Sequence, residues 1–321
     1  MEVEIEALVS KGVDCVSPEN IGRAKRIDDG RYRYIERVKS SFPNQMRLDG
    51  LKVVIDCANG AGYRAAPEVL WELGAEVVPV GVSPDGRNIN LECGSTSPRI
   101  AAETVVAHGA DVAICLDGDA DRVLVIDEQG CPIDGDHFLG MIGSRWQKEN
   151  ILVEKTLVAT VMSNMHLETF LNREGIKLVR TAVGDRYVVE QMRLNGFNLG
   201  GEKSGHVVMT DYSTTGDGLM AGLQFLAEMV RSGEPASVVG RPFDLAPQKT
   251  ENIIYASEKN PLDNTSVKKI ISESEKKISG LGRLIVRKSG TERLIRIMVE
   301  AEDISMIDAT ISSIRNAIKE L

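Results

Sequence analysis

The segment Leu116-Asp117-Gly118-Asp119-Ala120-Asp121-Arg122 constrains this chain more than any other. Three carboxylates stand at alternate positions directly after an apolar run, Asp111-Val112-Ala113-Ile114-Cys115-Leu116, which reads as a buried strand. If the segment stays extended, alternate side chains point the same way and the three carboxylates converge. Converging anions repel one another unless a cation lies between them, and hard divalent ions take carboxylate oxygens. Asp117, Asp119 and Asp121 are therefore expected to hold a metal, and the competing reading is a solvated acidic turn. A calcium EF-hand is rejected although Asp117, Asp119, Asp121 and Glu128 fit its first, third, fifth and twelfth places. Arg122 occupies the place that needs glycine, and the flanks are strand-like. Arg122 instead adds a cation beside the metal, useful where an anion must be held.

The surrounding pattern alternates strand and helix. Leu51–Asp56 reads as a strand, Asn59–Gly62 as a turn, Ala65–Leu73 as a helix closed by Gly74, and Glu76–Val80 as a strand. Ala101–His108 is a second helix, and Asp111–Leu116 and Arg122–Asp127 are further strands. The order restarts with a strand at Thr156–Met162 and a helix at Leu167–Arg173, then strands at 177–179 and 198–200 and a helix at Asp217–Val230. This predicts two tandem α/β units with mixed sheets. The tail predicts a small α+β domain, with strands at Arg283–Arg287 and Leu294–Glu300 and a closing helix whose Ile307, Ile311, Ile314 and Ile318 share one face. The expected division is a lead-in or linker helix over 1–43, an α/β domain with the acidic loop over 44–129, a second α/β domain over 130–242, and the α+β domain over 243–321.

With 321 residues, 42% apolar and 26% charged, such a chain can bury an ample core without disulfide staples. A net charge of −9 argues against nucleic acid as a partner. No apolar run is long enough for a membrane span, and the amino terminus lacks a secretory pattern. Five dispersed cysteines without a CxxC pair fit a reducing cytoplasm.

Three more loops carry polar chemistry. Gly60-Ala61-Gly62-Tyr63-Arg64-Ala65 nearly fits a dinucleotide fingerprint, but the second strand ends Val80-Gly81-Val82-Ser83, with no acid for a ribose, so a plain βα turn is the better reading. Gly201-Glu202-Lys203-Ser204-Gly205-His206 offers a carboxylate, an amine, a hydroxyl and an imidazole on a permissive backbone, the mixture a polyol needs; an ordinary polar loop is the alternative. Arg287-Lys288-Ser289-Gly290-Thr291-Glu292-Arg293, with Arg296 on the next strand, combines cations, hydroxyls and a glycine turn into a phosphate cradle, or else forms a hairpin turn with solvated charges. The acidic loop, the polyol-like loop and the phosphate-like loop lie on three different units and suggest a site in the cleft between them.

These motifs, with Asp56-Cys57-Ala58-Asn59-Gly60-Ala61, Asn88-Ile89-Asn90, Cys93-Gly94-Ser95-Thr96 and Val183-Gly184-Asp185-Arg186-Tyr187, resemble the α-D-phosphohexomutase superfamily from about Asp28 onward, and within it the bacterial phosphoglucosamine mutases. The resemblance implies Mg²⁺ at Asp117, Asp119 and Asp121. It implies sugar contacts from the loop holding Glu202, Ser204 and Gly205, with His206 nearby, and a phosphate held by Arg287, Ser289, Gly290 and Thr291 with help from Arg296. Arg122 and His206 are the expected catalytic side chains, Arg122 as the auxiliary cation. The implied reaction interconverts glucosamine 6-phosphate and glucosamine 1-phosphate through a phosphoserine and a bisphosphate, for peptidoglycan precursors. A phosphomannomutase, a phosphoglucomutase or a non-catalytic sugar-phosphate binder are the alternatives.

Two departures from the family pattern stand out. Lys203 replaces the usual Gln, and Lys288 and Arg293 replace prolines. The nucleophilic serine of the family, in a Ser-His-Asn setting on a first domain, is also expected to be missing: the residues before the four histidines are Ala107, Asp136, Met165 and Gly205. The chain alone is therefore expected to be inactive. An uncovered apolar surface near residues 1–50 is expected, open to self-association or to the missing domain.

Overall fold

Runs such as Val53-Val54-Ile55 and Val112-Ala113-Ile114-Cys115-Leu116 are buried along their whole length. That is the pattern of parallel strands covered on both faces. In the computed structural model, which describes residues 2–12, 15–255, 260–289 and 293–319, these strands are the centre of a five-stranded sheet.

The chain begins with helices α1 (Glu2–Lys11) and α2 (Gly30–Lys39). The first α/β unit follows: β1 (Lys52–Asp56), α3 (Ala65–Glu72), β2 (Glu76–Val80), α4 (Arg99–His108), β3 (Val112–Leu116), β4 (Val123–Asp127) and β5 (Pro132–Ile133). Its sheet order is β2-β1-β3-β4-β5, with β1 parallel to β2 and β3, and β3, β4 and β5 antiparallel in turn.

The second unit holds α5 (Gly135–Lys148), β6 (Thr156–Thr160), α6 (Met165–Arg173), β7 (Lys177–Thr181), α7 (Asp185–Asn195), β8 (Leu199–Gly201), β9 (Val207–Met209), α8 (Gly218–Ser232) and the short α9 (Ala236–Val239). Its order is β7-β6-β8-β9, the same progression as in the first sheet, with β9 the antiparallel edge. The tandem mixed-sheet architecture read from the sequence is thus present.

One hydrophobic core serves both units. Residues from Ile35 to Ala236 form a continuous cluster, and α8 carries it across. Gly222 of α8 lies so close to Ile114 of β3 that a Cβ would come within 2.8 Å of its side chain. Phe225 and Trp146 are fully buried there, each contributing about 2–3 kcal/mol by area. The helix expected as part of the lead-in is built into this core: Ile35, Val38 and Phe42 are buried in it, and Tyr34 donates to Asp217, the N-cap of α8, at 3.0 Å. Further upstream, Ile5, Leu8, Val9, Val16, Ile21, Ile27 and Tyr32 are all more than half exposed.

The tail is a separate core. β10 (Gln248–Ile254), α10 (Thr265–Ile278), β11 (Gly282–Lys288), β12 (Leu294–Ala301) and α11 (Ile304–Lys319) form an antiparallel sheet in the order β10-β12-β11. Ile295, Ile297 and Val299 face the helices and meet Ile307, Ile311, Ile314 and Ile318, the four isoleucines placed on one helix face by their spacing. The expected strands and closing helix are there; β10 and α10 are additional.

The opposite face of this sheet is organised in rows set by register. Gln248, Glu300 and Arg283 form one row, Thr250, Met298 and Ile285 the next, and Asn252, Arg296 and Arg287 the third. The first row docks on the second unit: Arg283 donates to the Ser163 carbonyl at 2.8 Å and to that of Val161. The third row lies four residues further along, about 13 Å away.

Candidate functional site

The acidic segment is not extended. β3 ends at Leu116, the chain turns through Gly118 and Ala120, and β4 returns antiparallel. Ala120 has φ 63° and its N–H donates to the Asp117 carbonyl at 3.1 Å. The tight turn does what extended geometry was expected to do: one ligand oxygen from each of Asp117, Asp119 and Asp121 lies within 4.8 Å of the others. The turn is clamped from two sides. Ala61 N–H donates to the Gly118 carbonyl at 2.8 Å, and a Cβ on Gly60 would stand 2.1 Å from that oxygen. Gly60 and Gly62 thus allow close backbone approach to the turn; they are no dinucleotide loop. On the other side Gly218, opening α8, donates to the Ala120 carbonyl at 2.9 Å.

Arg122 secures the innermost ligand. Its Nε stands 2.6 Å from Asp117 Oδ2 and its backbone N–H donates to Oδ1 at 3.1 Å, while Asp121 is 3.5 Å away. Asp117 is 1% exposed, so this cation offsets a buried charge. The Asp121 carboxyl is pushed above the usual carboxylate range, first by burial and then by repulsion from Asp117, with His206 opposing. Its Oδ1 is buried without a hydrogen-bond partner. This acceptor-only oxygen, without a hydrogen bond, 3.5 Å from Arg122 Nε and beside two more carboxylates, can take a hard divalent cation.

The loop expected to take the sugar, residues 201–206, meets this turn directly. Val123 N–H donates to the Gly205 carbonyl at 3.1 Å, and Arg122 and His206 form an isolated antiparallel bridge. His206 Nδ1 lies 3.1 Å from Asp121 Oδ2. Its Nε2 is buried, unbonded and 4.0 Å from Asp185 Oδ2. His206 is therefore placed against a candidate metal ligand. Glu202 Oε1 accepts from Gly184 N–H at 3.0 Å, and Ser204 Oγ is 3.5 Å from Oε2. Gly205 is the joint: it has φ +88°, and a Cβ there would stand 2.0 Å from the Val123 carbonyl oxygen. Gly205→Ala is expected to cost about 2–4 kcal/mol through strain and the lost bridge. A urea midpoint equal to wild type would show that the two loops are not joined this way.

Arg287 and Arg296, expected to hold a phosphate, lie on the third row of the C-terminal sheet. Arg287 and Arg296 are directly opposed across β11 and β12. Like charges in that relation repel. Arg296 Nε donates to Asn252 at 2.9 Å, and Arg287 Nε is buried without a partner. Two opposed guanidiniums, one with an unused buried donor, suit an oxyanion. Ser289 N–H donates to the Leu294 carbonyl at 2.9 Å. Gly290 and Thr291, expected in the phosphate cradle, lie outside the described residues.

Asp185, Gly184, Asp134 and Gln248 join the site without having been singled out as ligands. Gly184 and Asp185 belong to a motif quoted for the family resemblance without a role of their own. Asp134 and Gln248 carried no local signal, because their partner Lys203 comes from a remote loop.

Comparison with known proteins follows the same layout. Residues 32–130 match the phosphoglucomutase/phosphomannomutase α/β/α domain II, 134–242 its α/β/α domain III, and 251–317 its C-terminal domain. A phosphoglucosamine mutase of Roseobacter denitrificans is 62% identical over 319 residues, which is 99% of this chain and 71% of that protein. One from a Ruegeria species is 61% identical with the same coverage. Among solved structures, a phosphoglucomutase/phosphomannomutase family protein from Burkholderia thailandensis aligns with a TM-score of 0.72 at 22% identity, over 90% of this chain and 64% of that one. An N-acetylphosphoglucosamine mutase from Aspergillus fumigatus, in complex with GlcNAc-6P and magnesium, aligns with a TM-score of 0.68 at 19% identity, over 89% and 68%.

Proposed function

The chain belongs to the phosphoglucomutase/phosphomannomutase family, on its phosphoglucosamine mutase branch, and on that premise we propose that it supplies three of the four parts of an enzyme interconverting glucosamine 6-phosphate and glucosamine 1-phosphate. The observation that carries the reading is the junction of two loops: the aspartate turn and the sugar loop share the Val123–Gly205 hydrogen bond and the Asp121–His206 contact. A hydroxyl held at Glu202 and Ser204 is thereby presented to the acidic turn.

Asp117, Asp119 and Asp121 would hold Mg²⁺, which when bound supplies charge neutralisation at a transferring phosphoryl group. The protein's own side chains align and neutralise. Arg122 fixes Asp117 through Nε, and its terminal nitrogens, which make no hydrogen bond among the described residues, are left to meet the reacting phosphate as the auxiliary cation. Glu202, oriented by Gly184 N–H, accepts from the sugar. Arg287 and Arg296, with Ser289, Gly290 and Thr291, grip the phosphate at the far end of the sugar. His206 holds Asp121 in its ligand orientation. Turnover in the cytoplasm for peptidoglycan precursors follows from the same reading, with a hexosamine phosphate as the partner molecule.

The phosphoserine of the family mechanism comes from its first domain. Residues 1–321 assayed alone are expected to give negligible mutase turnover, and to gain it when a family first domain bearing phosphoserine is supplied in cis or in trans. A coupled assay of glucosamine 1-phosphate formation decides this. Full turnover by the 321 residues alone, or none after complementation, would contradict the proposal. Calorimetric titration with glucosamine and mannose 6-phosphates separates the two sugar specificities, and equal affinity removes the preference for glucosamine.

A further inference from the structure

Lys203 sits inside the loop proposed to hold the sugar, yet its side chain turns to α5 and the C-terminal domain. Its Nζ donates to Gln248 Oε1 at 2.9 Å and lies 3.3 Å from Asp134 and 4.0 Å from the fully buried Asp136. Asp134 and Asp136 flank Gly135 at the start of α5. There the loop rests directly on the helix: a Cβ on Gly135 would stand 2.2 Å from the Lys203 carbonyl oxygen. Backbone and ammonium therefore seat the loop on one spot of the second unit.

Gln248 belongs to the C-terminal domain. It occupies the first row of the sheet face, beside Glu300 and Arg283, the row that docks on the second unit. Among hydrogen bonds between described residues, Lys203–Gln248 is the one linking the sugar loop to that domain. The arginine row that meets the phosphate lies on the same face and the same three strands, about 13 Å further on. A strand is stiff over that length, so the seat of the first row, shared by Lys203–Gln248 and Arg283–Ser163, helps to set where Arg296 and Arg287 stand.

We propose that Lys203 is a positioning residue, whose ammonium, shared by Asp134, Asp136 and Gln248, sets the spacing between the sugar loop and the arginine row and so the grip on a hexosamine phosphate held at both ends. It touches neither end of the ligand. The spacing, not a direct contact, is what it contributes. The inference rests on the proposed function for its ligand but not for its geometry.

The test uses the 321-residue chain with Mg²⁺. Calorimetric titration with glucosamine 6-phosphate is compared for wild type, Lys203→Met, Lys203→Arg, Gln248→Ala and the Lys203→Met/Gln248→Ala double variant. Lys203→Met and Gln248→Ala are each expected to lose about tenfold in affinity, and the double variant no more than either alone, as for two partners of one contact. Lys203→Arg should stay within about twofold of wild type, because it keeps the charge and the reach. Affinity for inorganic phosphate, which does not span both ends of the site, should be unchanged throughout. Without ligand, hydrogen exchange of Lys203→Met should quicken across 248–254 and not across β1 or β3. Wild-type affinity in Lys203→Met, failure of Lys203→Arg to rescue, additive losses in the double variant, or an equal loss for inorganic phosphate would each overturn the proposal. If wild type itself binds no glucosamine 6-phosphate, the functional reading fails. The exchange measurement then decides Lys203 alone, and unchanged exchange across 248–254 refutes it.

Discussion

Asp119→Asn is expected to lower mutase turnover by about three orders of magnitude in the chain supplied with a family phosphoserine domain, a loss of about 4 kcal/mol of transition-state stabilisation. The same variant should melt within about 2 °C of wild type, since surface changes without partners rarely move stability by more than a few tenths of a kcal/mol. The contrast follows from the place of Asp119 in the turn. It is the exposed member of the triad, and among the described residues it makes no hydrogen bond or ion pair. Its charge raises the pKa of Asp121 and of Arg122. Removing it relieves repulsion in the empty turn while taking away one of three metal oxygens. Asp117→Asn is not equivalent: Asp117 is buried and holds Arg122 twice, so the local fold would suffer with it. Titration with Mg²⁺ should show weakened uptake in Asp119→Asn at unchanged melting temperature. Turnover within tenfold of wild type would remove the triad from the mechanism.

What the sequence disclosed follows the physics of each segment. The strands of both sheets except the short β5 and β9 were readable, because buried parallel strands are short apolar runs between turns, as at Val112–Leu116 and Thr156–Thr160. The last helix was readable because one face is wet and the other dry. Helix α5 was not: every residue from Asp136 to Trp146 is buried, so no polar face marks its period. Helix α10 is the reverse, amphipathic but dominated by Lys, Ser and Glu, with Val267, Ser274 and Ile278 as its buried residues. The triad was legible as a composition at one spacing, but for a reason that needed correction. The oxygens meet through a turn with Ala120 in the left-handed region, not through an extended strand. Asp134 and Gln248 were invisible, since an ion pair or a hydrogen bond between residues far apart in sequence leaves no local pattern. Family resemblance brought in the roles of Glu202 and Arg287, which periodicity could not.

Gln224→Leu is expected to destabilise the protein by about 2–4 kcal/mol, because it strips the neutral amide partner from a buried guanidinium. Arg145 of α5 is 6% exposed, and burial pulls its pKa down. Its terminal nitrogens donate to Gln224 Oε1 at 2.6 Å and to the Gln224 carbonyl at 3.2 Å, while Nε has no partner. Gln224 Nε2 donates in turn to the Ser41 carbonyl at 2.7 Å, just past the end of α2. One amide thus joins α5, α8 and the segment after α2 inside the core shared by both α/β units. Leucine fills much the same volume but leaves a guanidinium and a carbonyl without their strongest partners. The penalty is one of unmet polar groups, not of a cavity. Arg145→Met/Gln224→Leu should therefore recover most of the loss, because replacing the whole pair by apolar groups is often neutral. Urea unfolding of wild type, both single variants and the double variant supplies the cycle. A double variant as unstable as the sum of the singles would show that shape, rather than charge, makes this junction. Because α8 also opens beneath the aspartate turn through the Gly218–Ala120 hydrogen bond, the single variant should weaken Mg²⁺ uptake as well, and the double variant should restore it.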